Sequence, residues 1–395
     1  MIEKTLNELI NEYCPDGVEF KKFGDFIKYE QPTKYIVSNT YYDDNYDIPV
    51  LTAGQTFILG YTNEKNNIYK ASKENPCIIF DDFTAAIKWV DFHFKVKSSA
   101  MKILTKNSNE VNFKFLYYYM CFLNFTSTEH QRLWISKYSL FKIPIPPLPV
   151  QNKIVQILDK MSELTAELTA ELTARKSQYE YYRNKLLTFG DDVEWKNLGD
   201  LGNFYGGITG KSKKDFENGN AKFITYKNIF SNLAINQYTN DKVKIYSNEK
   251  QRTLKYGDIC FTGSSETLNE SGISSVVNEI PKEPLYLNSF CFFLRFNDIS
   301  LFNPNFLKHL FRSNNIRKQI IKTSNGTTRF NISKELMKKI IIPIPNIETQ
   351  NKIVEILDKF DKLCNNISEG IPAEIKLHNS RYEYYRNKLL TFTEI

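Results

Sequence analysis

Three short segments carry residue types that could act on a phosphate, a metal ion or a methyl donor. Gly206-Gly207-Ile208-Thr209-Gly210-Lys211-Ser212 is similar to a glycine-rich loop that wraps a triphosphate. Such a loop needs a further glycine five residues before Gly210, and Tyr205 stands there. The segment reads instead as a loop whose small residues let the backbone and Lys211 approach a phosphate, or as a plain turn. Pro15-Asp16 followed by Glu19-Phe20-Lys21 imitates a nuclease metal site, but the Glu-x-Lys part recurs as Glu194-Trp195-Lys196 with no Pro-Asp before it. A strand that opens a domain accounts for both copies. Adenine methyl transfer needs an Asn/Asp-Pro-Pro-aromatic motif; Asn303-Pro304-Asn305 comes nearest and lacks both the second proline and the aromatic ring. A nuclease and a self-sufficient methyltransferase are both disfavoured. No catalytic residues and no metal ligands are assigned.

The bulk properties suit a binding protein. The chain has 395 residues, 42% hydrophobic and 25% charged, enough for two domains of ordinary size with real cores. Its net charge of +7 permits a polyanionic partner without demanding one. Cys14, Cys77, Cys121, Cys260, Cys291 and Cys364 form no C-x-x-C pair, and they read as reduced, mostly buried thiols of a cytoplasmic protein. Residues 1–17 are expected to hold a short amphipathic helix. No apolar run approaches the ~18 residues of a membrane span, so no membrane partner is expected.

The strongest signal is an internal repeat. Gln151–Lys160 (QNKIVQILDK) and Gln350–Lys359 (QNKIVEILDK) agree at nine of ten positions, and Ser177–Phe189 (SQYEYYRNKLLTF) and Ser380–Phe392 (SRYEYYRNKLLTF) at twelve of thirteen. Upstream, Ile143-Pro144-Ile145-Pro146 matches Ile342-Pro343-Ile344-Pro345, and Val18-Glu19-Phe20-Lys21 with Gly24-Asp25 matches Val193-Glu194-Trp195-Lys196 with Gly199-Asp200. Between these landmarks the two halves share little sequence. One scaffold is therefore used twice to present two different surfaces.

The repeated blocks are helical. Gln151–Phe189 contains no Pro or Gly, carries Ile154, Leu158, Met161, Leu164, Leu168 and Leu172 at three- and four-residue spacing, and predicts a single amphipathic helix. At ~1.5 Å per residue it would span roughly 58 Å. Ile353, Ile356, Leu357, Phe360, Leu363 and Ile367 give a second stripe as its partner, with a break and restart expected at Gly370 and Pro372. Glu163–Ala174 is the tetrad ELTA three times over. Each unit adds ~6 Å of helix, close to two base-pair steps of ~3.4 Å. The other reading is a slipped repeat that the helix tolerates.

Taken together, this order of variable domain, helix, variable domain, helix resembles the specificity subunit of type I restriction–modification enzymes, in particular members with such tetrads. The marks are Thr165–Leu172 (TAELTAEL), the paired YEYYRNKLL segments, the paired I-P-I-P and Q-N-K-I-V junctions, Gly257-Asp258-Ile259 with Phe261–Ser264, and Gly326-Thr327-Thr328 with Asn331-Ile332-Ser333. The resemblance covers essentially the whole chain. It implies an α+β chain with an internal pseudo-twofold repeat, in which two globular α/β target-recognition domains are separated by a pair of long antiparallel coiled-coil helices. The expected boundaries are 18–149 and 193–348 for the domains, and 150–192 and 349–395 for the spacer helices. It further implies double-stranded DNA with a bipartite asymmetric site as ligand, each domain reading one half. Two methyltransferase subunits that use S-adenosylmethionine to methylate adenine N6 would dock on the helices. Motor–nuclease subunits that use ATP and magnesium would join where present. This chain itself would hold no cofactor.

Phosphate contacts would set register and base-edge contacts sequence choice. In the first domain the candidates are Gln31, Thr33, Lys34, Tyr35, Thr52, Gln55, Thr56, Thr84, Lys88, Ser98, Ser99 and Arg132, with Gln31 or Gln55 suited to bidentate pairing with adenine. In the second they are Thr209, Lys211, Lys213, Lys214, Tyr226, Lys227, Thr262, Ser264, Ser265 and Arg329. Two other readings stay open: a chain that reads and acts by itself, and a non-enzymatic coiled-coil adaptor with two protein-binding heads.

Overall fold

The structure is a computed structural model that describes residues 4–54, 56–126, 131–366 and 368–395. It divides into two compact units, Met1–Leu168 with Ile375–Ile395, and Thr169–Glu374. Gln55 and Ile367 lie outside the described residues.

In the first unit, short apolar runs build a four-stranded antiparallel sheet in the order Ile27–Glu30, Met101–Lys106, Cys77–Asp81, Ile87–Val90. The side-chain period of two decides where each residue goes. Along the strand Cys77–Asp81, Ile78 and Phe80 enter one apolar cluster, while Cys77 and Ile79 enter another on the opposite face. The first cluster holds an aromatic knot in which Phe80 meets Trp134 at 5.3 Å and Tyr138 at 5.0 Å. The second is closed by a mixed sheet of Ile58–Thr62, Ile48–Leu51 and Lys95–Val96. A two-stranded ribbon, Phe20–Lys22 with Lys142–Pro144, brings the start of the domain to its end.

The second unit repeats this plan with different residues. Its main sheet runs Gly202–Gly206, Cys291–Phe296, Ile259–Thr262, Ser274–Val276. Its mixed sheet runs Lys242–Val243, Ala221–Ile224, Leu285–Leu287, and its ribbon pairs Glu194–Asn197 with Ile341–Ile344. Again alternate residues part, with Ile259 and Phe261 in one cluster and Cys260 in the other. A further small sheet of Ser264–Ser265, Phe330–Ile332 and Ser324–Asn325 has no counterpart among the described residues of the first unit. Domains with little common sequence thus share one topology.

The central helix is Leu148–Leu186, 39 residues, starting three residues before the expected Gln151. The C-terminal part is two helices, Ile347–Asn365 and Ile371–Leu390, with the break and restart expected at Gly370 and Pro372. A β-carbon on Gly370 would lie 2.5 Å from the Lys362 carbonyl oxygen, so the chain needs glycine to turn there. A short helix Leu6–Tyr13 is opened by a capping box between Thr5 and Glu8.

Within the first unit the early central helix runs antiparallel to the C-terminal helix. The His378 Nε2–H donates to the Met161 carbonyl, and Tyr385 and Leu389 lie beside Ile157. Within the second unit, Tyr179 and Tyr182 stack on Phe360 at 6.2 and 5.5 Å. The expected stripes need correction. Ile154, Val155 and Leu158 are buried, but Leu164 is 42% exposed and Leu168 and Leu172 are half-buried. Ile353, Leu357 and Cys364 are the buried face of the partner helix, whereas Ile356 and Leu363 are exposed. The cause is that these helices lay their apolar faces on the domain cores, and the tetrad segment lies in sequence between the parts that do so.

Each domain is fastened to its helix by the same buried glutamine. The Gln151 side chain accepts from the Asn112 backbone N–H at 2.8 Å and donates to the Pro146 and Glu110 carbonyls at 2.7 and 3.3 Å. Gln350 accepts from the Asn303 N–H at 2.8 Å and donates to the Pro345 and Leu301 carbonyls at 2.8 and 2.9 Å. The next residues repeat too, with Asn112 donating to Asn152 and Asn303 to Asn351, each at 2.8 Å. About two turns on, Asp159 takes the Tyr118 hydroxyl and the Lys114 ammonium, and Asp358 takes His309 Nε2 at 2.6 Å and Lys308 at 2.9 Å. Tyr179 meets the other ring nitrogen of His309 at 3.1 Å.

Two outcomes are expected of these joints. Gln151→Ala or Gln350→Ala leaves buried backbone groups unpaired, which costs roughly 1–3 kcal/mol; urea denaturation of each variant should show a lower midpoint. His309 is wholly buried, and burial lowers its pKa despite the hydrogen bond to Asp358. The folded state therefore keeps it neutral, while the unfolded chain protonates it below about pH 6.5. Its share of stability is present above that pH and is lost as pH falls towards its lowered folded value. Thermal unfolding across pH 7.5 to 5 should show this loss, and His309→Gln should flatten that part of the profile.

Candidate nucleic-acid interface

The candidate residues of the two units fall on topologically equivalent loops. Residues 31–35 and 207–214 follow the first strand of each main sheet. Residues 52–57 and 225–231 follow the middle strand of each mixed sheet, and 82–86 and 263–273 follow the buried strands Cys77–Asp81 and Ile259–Thr262. Residues 97–100 and 288–290 are the turns into the strands that begin at Met101 and Cys291. Arg132 directly precedes the short helix Leu133–Ser136, and Arg329 precedes the strand Phe330–Ile332, which leads to the short helix Lys334–Met337.

In the first unit these loops are tied together from beneath. Asp82, almost buried, accepts from the Trp134 N–H at 2.9 Å and pairs with Lys102 at 3.4 Å. Lys102 donates to Gln31 Oε1 at 2.6 Å, and Gln31 Nε2 donates to the Ser99 carbonyl at 2.7 Å. The Lys97 N–H bonds the Leu51 carbonyl. Lys88 lies over the Phe57 ring at 6.0 Å. The described residues of loops 31–35, 51–54, 56–57, 81–88, 97–100 and 132–134 thus form one connected edge.

That geometry separates surface candidates from scaffold. Thr33, Lys34, Thr56, Thr84, Lys88, Ser98 and Arg132 are exposed, with Lys34 ion-paired to Glu30 at 2.7 Å. Gln31 is corrected to a structural role, because both ends of its amide are engaged within the protein. Tyr35 is likewise buried, its hydroxyl donating to Glu30 at 3.1 Å. Thr52 turns its hydroxyl to the Thr56 carbonyl to shape the hairpin, and Ser99 is half-buried. Trp134 belongs to the aromatic knot.

The second unit sorts in the same way. Lys213 and Lys214 are exposed on the short helix Lys213–Phe216, and Thr209 is exposed beside Gln251. Lys211 is corrected: its side chain is only 3% exposed, ion-paired with Glu249 at 2.5 Å and set over the Tyr246 ring at 5.1 Å. It supports the loop rather than meeting a phosphate. Thr262 is also corrected, since it is wholly buried and its hydroxyl accepts from the Ile273 N–H at 2.9 Å. Ser265 is buried, and its hydroxyl accepts from Thr267 N at 3.3 Å. Tyr226, Lys227, Ser264, Ser265 and Arg329 line one cavity of about 500 Å³ together with Phe230 and Phe290. Tyr226 donates its hydroxyl to the Ser264 carbonyl at 2.9 Å and stacks on Phe230 at 6.1 Å. Lys227 and Arg329 are exposed, and neither has an ion pair among the described residues.

Two residues that sequence reasoning missed position this surface. Arg312 donates to the Ser274, Ile229 and Asn232 carbonyls, holding the end of the helix Tyr226–Ser231. Arg317 donates to the Gly272, Ser271 and Asn269 carbonyls, holding the loop beside it. Burial lowers both to about 10, and among the described residues neither pairs with a carboxylate. Nothing in their local sequence marks them, because carbonyl acceptors have no residue type. The imitation metal site resolves simply. Glu19 and Lys21 form an exposed ion pair at 2.9 Å, and Glu194 and Lys196 repeat it at 2.9 Å on the matching strand. Among the described residues no three His, Cys, Asp or Glu side chains are placed to share a metal ion, and no helix is long and apolar enough to cross a membrane.

Comparison with known proteins agrees with the duplicated plan. The family model "Type I restriction modification DNA specificity domain" matches twice, over residues 15–175 and 190–377. The chain is 44% identical over 402 residues to the type I restriction enzyme EcoR124I/EcoR124II specificity subunit of Escherichia coli, covering 95% of each. It is 32% identical to a putative type I restriction enzyme specificity subunit of Haemophilus influenzae, over 86% of each. Its fold is similar to the S subunit of a type I restriction–modification system from M. genitalium, with a TM-score of 0.55, 14% identity and coverage of 95% of this chain and 97% of that one. On this evidence the chain belongs to the type I restriction–modification DNA specificity subunits, which recognise DNA sequence and are not themselves catalytic.

Proposed function

We propose that each unit reads one half of a bipartite, asymmetric site in double-stranded DNA through the loop set at the same ends of its strands. The observation that carries this reading is that two domains of one topology place unlike residues on equivalent loops, while the parts that join them to the helices are nearly identical. Exposed Thr33, Lys34, Thr56, Thr84, Lys88, Ser98 and Arg132 serve the first half-site. Lys213, Lys214, Tyr226, Lys227, Ser264 and Arg329 serve the second. Cations without a carboxylate partner take phosphates, and hydroxyls and amides meet base edges.

The central helix links the two readers, and its tetrads set the number of unread base pairs between them. The repeated helices offer matching docking surfaces to two methyltransferase subunits, which supply S-adenosylmethionine chemistry at adenine N6. Motor–nuclease subunits, with ATP and magnesium, act through the same assembly in the cytoplasm. Extraction of the adenine from the stack falls to the methyltransferase; this chain grips the site.

Deleting Glu167–Ala170 removes one ELTA-length unit, ~6 Å of helix. Base-resolution mapping of methylated adenines in cells making the variant with its methyltransferase should show a gap shorter by about two base pairs at ~3.4 Å per step, with both half-sites unchanged. A changed half-site contradicts the spacer role.

A further inference from the structure

One aromatic side chain of the second unit has no packing role. Phe290 is 68% exposed, the most exposed phenylalanine among the described residues. It ends the turn Asn288–Phe290 that leads into the strand Cys291–Phe296. A single exposed apolar residue is unremarkable by itself. Here the backbone beneath the ring is held from several sides.

The Asn288 N–H donates to the Ile224 carbonyl at 2.9 Å, and the Asn288 side chain accepts from the Phe290 N–H at 2.8 Å. The Gly263 N–H donates to the Phe290 carbonyl at 2.9 Å, and the Cys291 N–H to the Asn288 carbonyl at 3.0 Å. Two glycines make the close approach possible. A β-carbon at Gly263 would lie 2.5 Å from the Phe290 oxygen, and one at Gly207 2.0 Å from the Asn288 oxygen. The ring therefore stands in solvent on a fixed base.

Its surroundings suit a nucleic acid. The cavity beside it has the stacked Tyr226 and Phe230 rings on one side and the unpaired cations Lys227 and Arg329 at its rim. Glu266 and Glu270 also line it, as acceptors suited to exocyclic amines. In the first unit the matching turn ends in Ala100, because Met101 pairs with Asp81 as Cys291 pairs with Thr262. The first unit has no ring at that place.

We propose that Phe290 is a stacking wedge, which inserts its ring at one base step of the half-site bound by the second unit and partly unstacks it. Apolar wedges of this kind kink the duplex and widen the surface that the protein can contact. Lys227 and Arg329 hold the flanking phosphates while the ring enters. The distortion is confined to one half-site, since Ala100 cannot reproduce it. This inference rests on the reading that the second unit binds DNA.

The test uses the complex of this chain with its methyltransferase subunits and duplexes carrying 2-aminopurine at successive positions of the bound site. Besides the rise at each target adenine that the methyltransferase takes out of the stack, wild type should raise the fluorescence at one further step, in the half-site bound by the second unit only. Phe290→Ala should abolish that further rise and weaken specific binding on the order of tenfold, as expected when a stacked aromatic is lost, with an unchanged salt slope. Phe290→Trp should keep the rise. Arg329→Ala should keep it too, while lowering the salt slope by about 0.9, the value for one phosphate. If Phe290→Ala retains both the fluorescence rise and the affinity while Arg329→Ala still lowers the slope, the wedge is overturned and DNA reading stands. If the wild-type complex shows no site-specific binding, DNA reading falls and the wedge with it.

Discussion

The structure depends on a buried amide placed twice. Gln151 and Gln350 each sit in the first turns of a long helix, with no exposed surface, and each satisfies two carbonyls and one N–H of the adjoining domain. A buried side chain that bonds three backbone groups fixes both the position and the rotation of the helix relative to its domain. A hydrophobic contact could not do so, because it has no preferred direction. Asn152 and Asn351, then Asp159 and Asp358, extend the joint along the same helix face. With the joint specified in this way, the rest of each domain is free to vary where it meets solvent.

That freedom explains what could be read from the sequence. The duplicated helices and their junctions were plain because the joint admits few substitutions, so the two copies kept their residues. The common topology of the two domains was not legible. A sheet requires only alternate apolar residues, so Cys77–Asp81 and Ile259–Thr262 can fill the same place with different side chains. The helix stripes were legible in type but not in detail. Leu164, Ile356 and Leu363 have the right spacing yet face solvent: along Ile347–Asn365 the core takes the side of Ile353, Leu357 and Cys364, and Leu164 lies in the tetrad segment between the parts of the central helix that cover the cores.

The candidate site was legible as a set of loops and less so residue by residue. Gln31, Lys211 and Thr262 have the composition of DNA contacts, but internal partners take up their polar atoms. The hydrogen bonds that decide this join residues 71, 38 and 11 positions apart, and no local pattern reports them. Arg312 and Arg317 show the converse. They are cations whose charge is used inside the protein, on carbonyls that shape the loops. A loop surface held by such interior contacts can change its outward residues without losing its shape, as specificity that differs between two copies of one fold requires.

The central claim is that each unit reads its own half of the site through exposed residues on a shared frame. It is tested most directly by replacing Thr84, Lys88 and Ser98 of the first unit together with alanine and mapping methylated adenines at base resolution in cells that also make the methyltransferase. The account predicts that one half of the bipartite motif relaxes while the other half and the gap stay as in the wild type. Relaxation of both halves, or a motif that does not change at all, would contradict it.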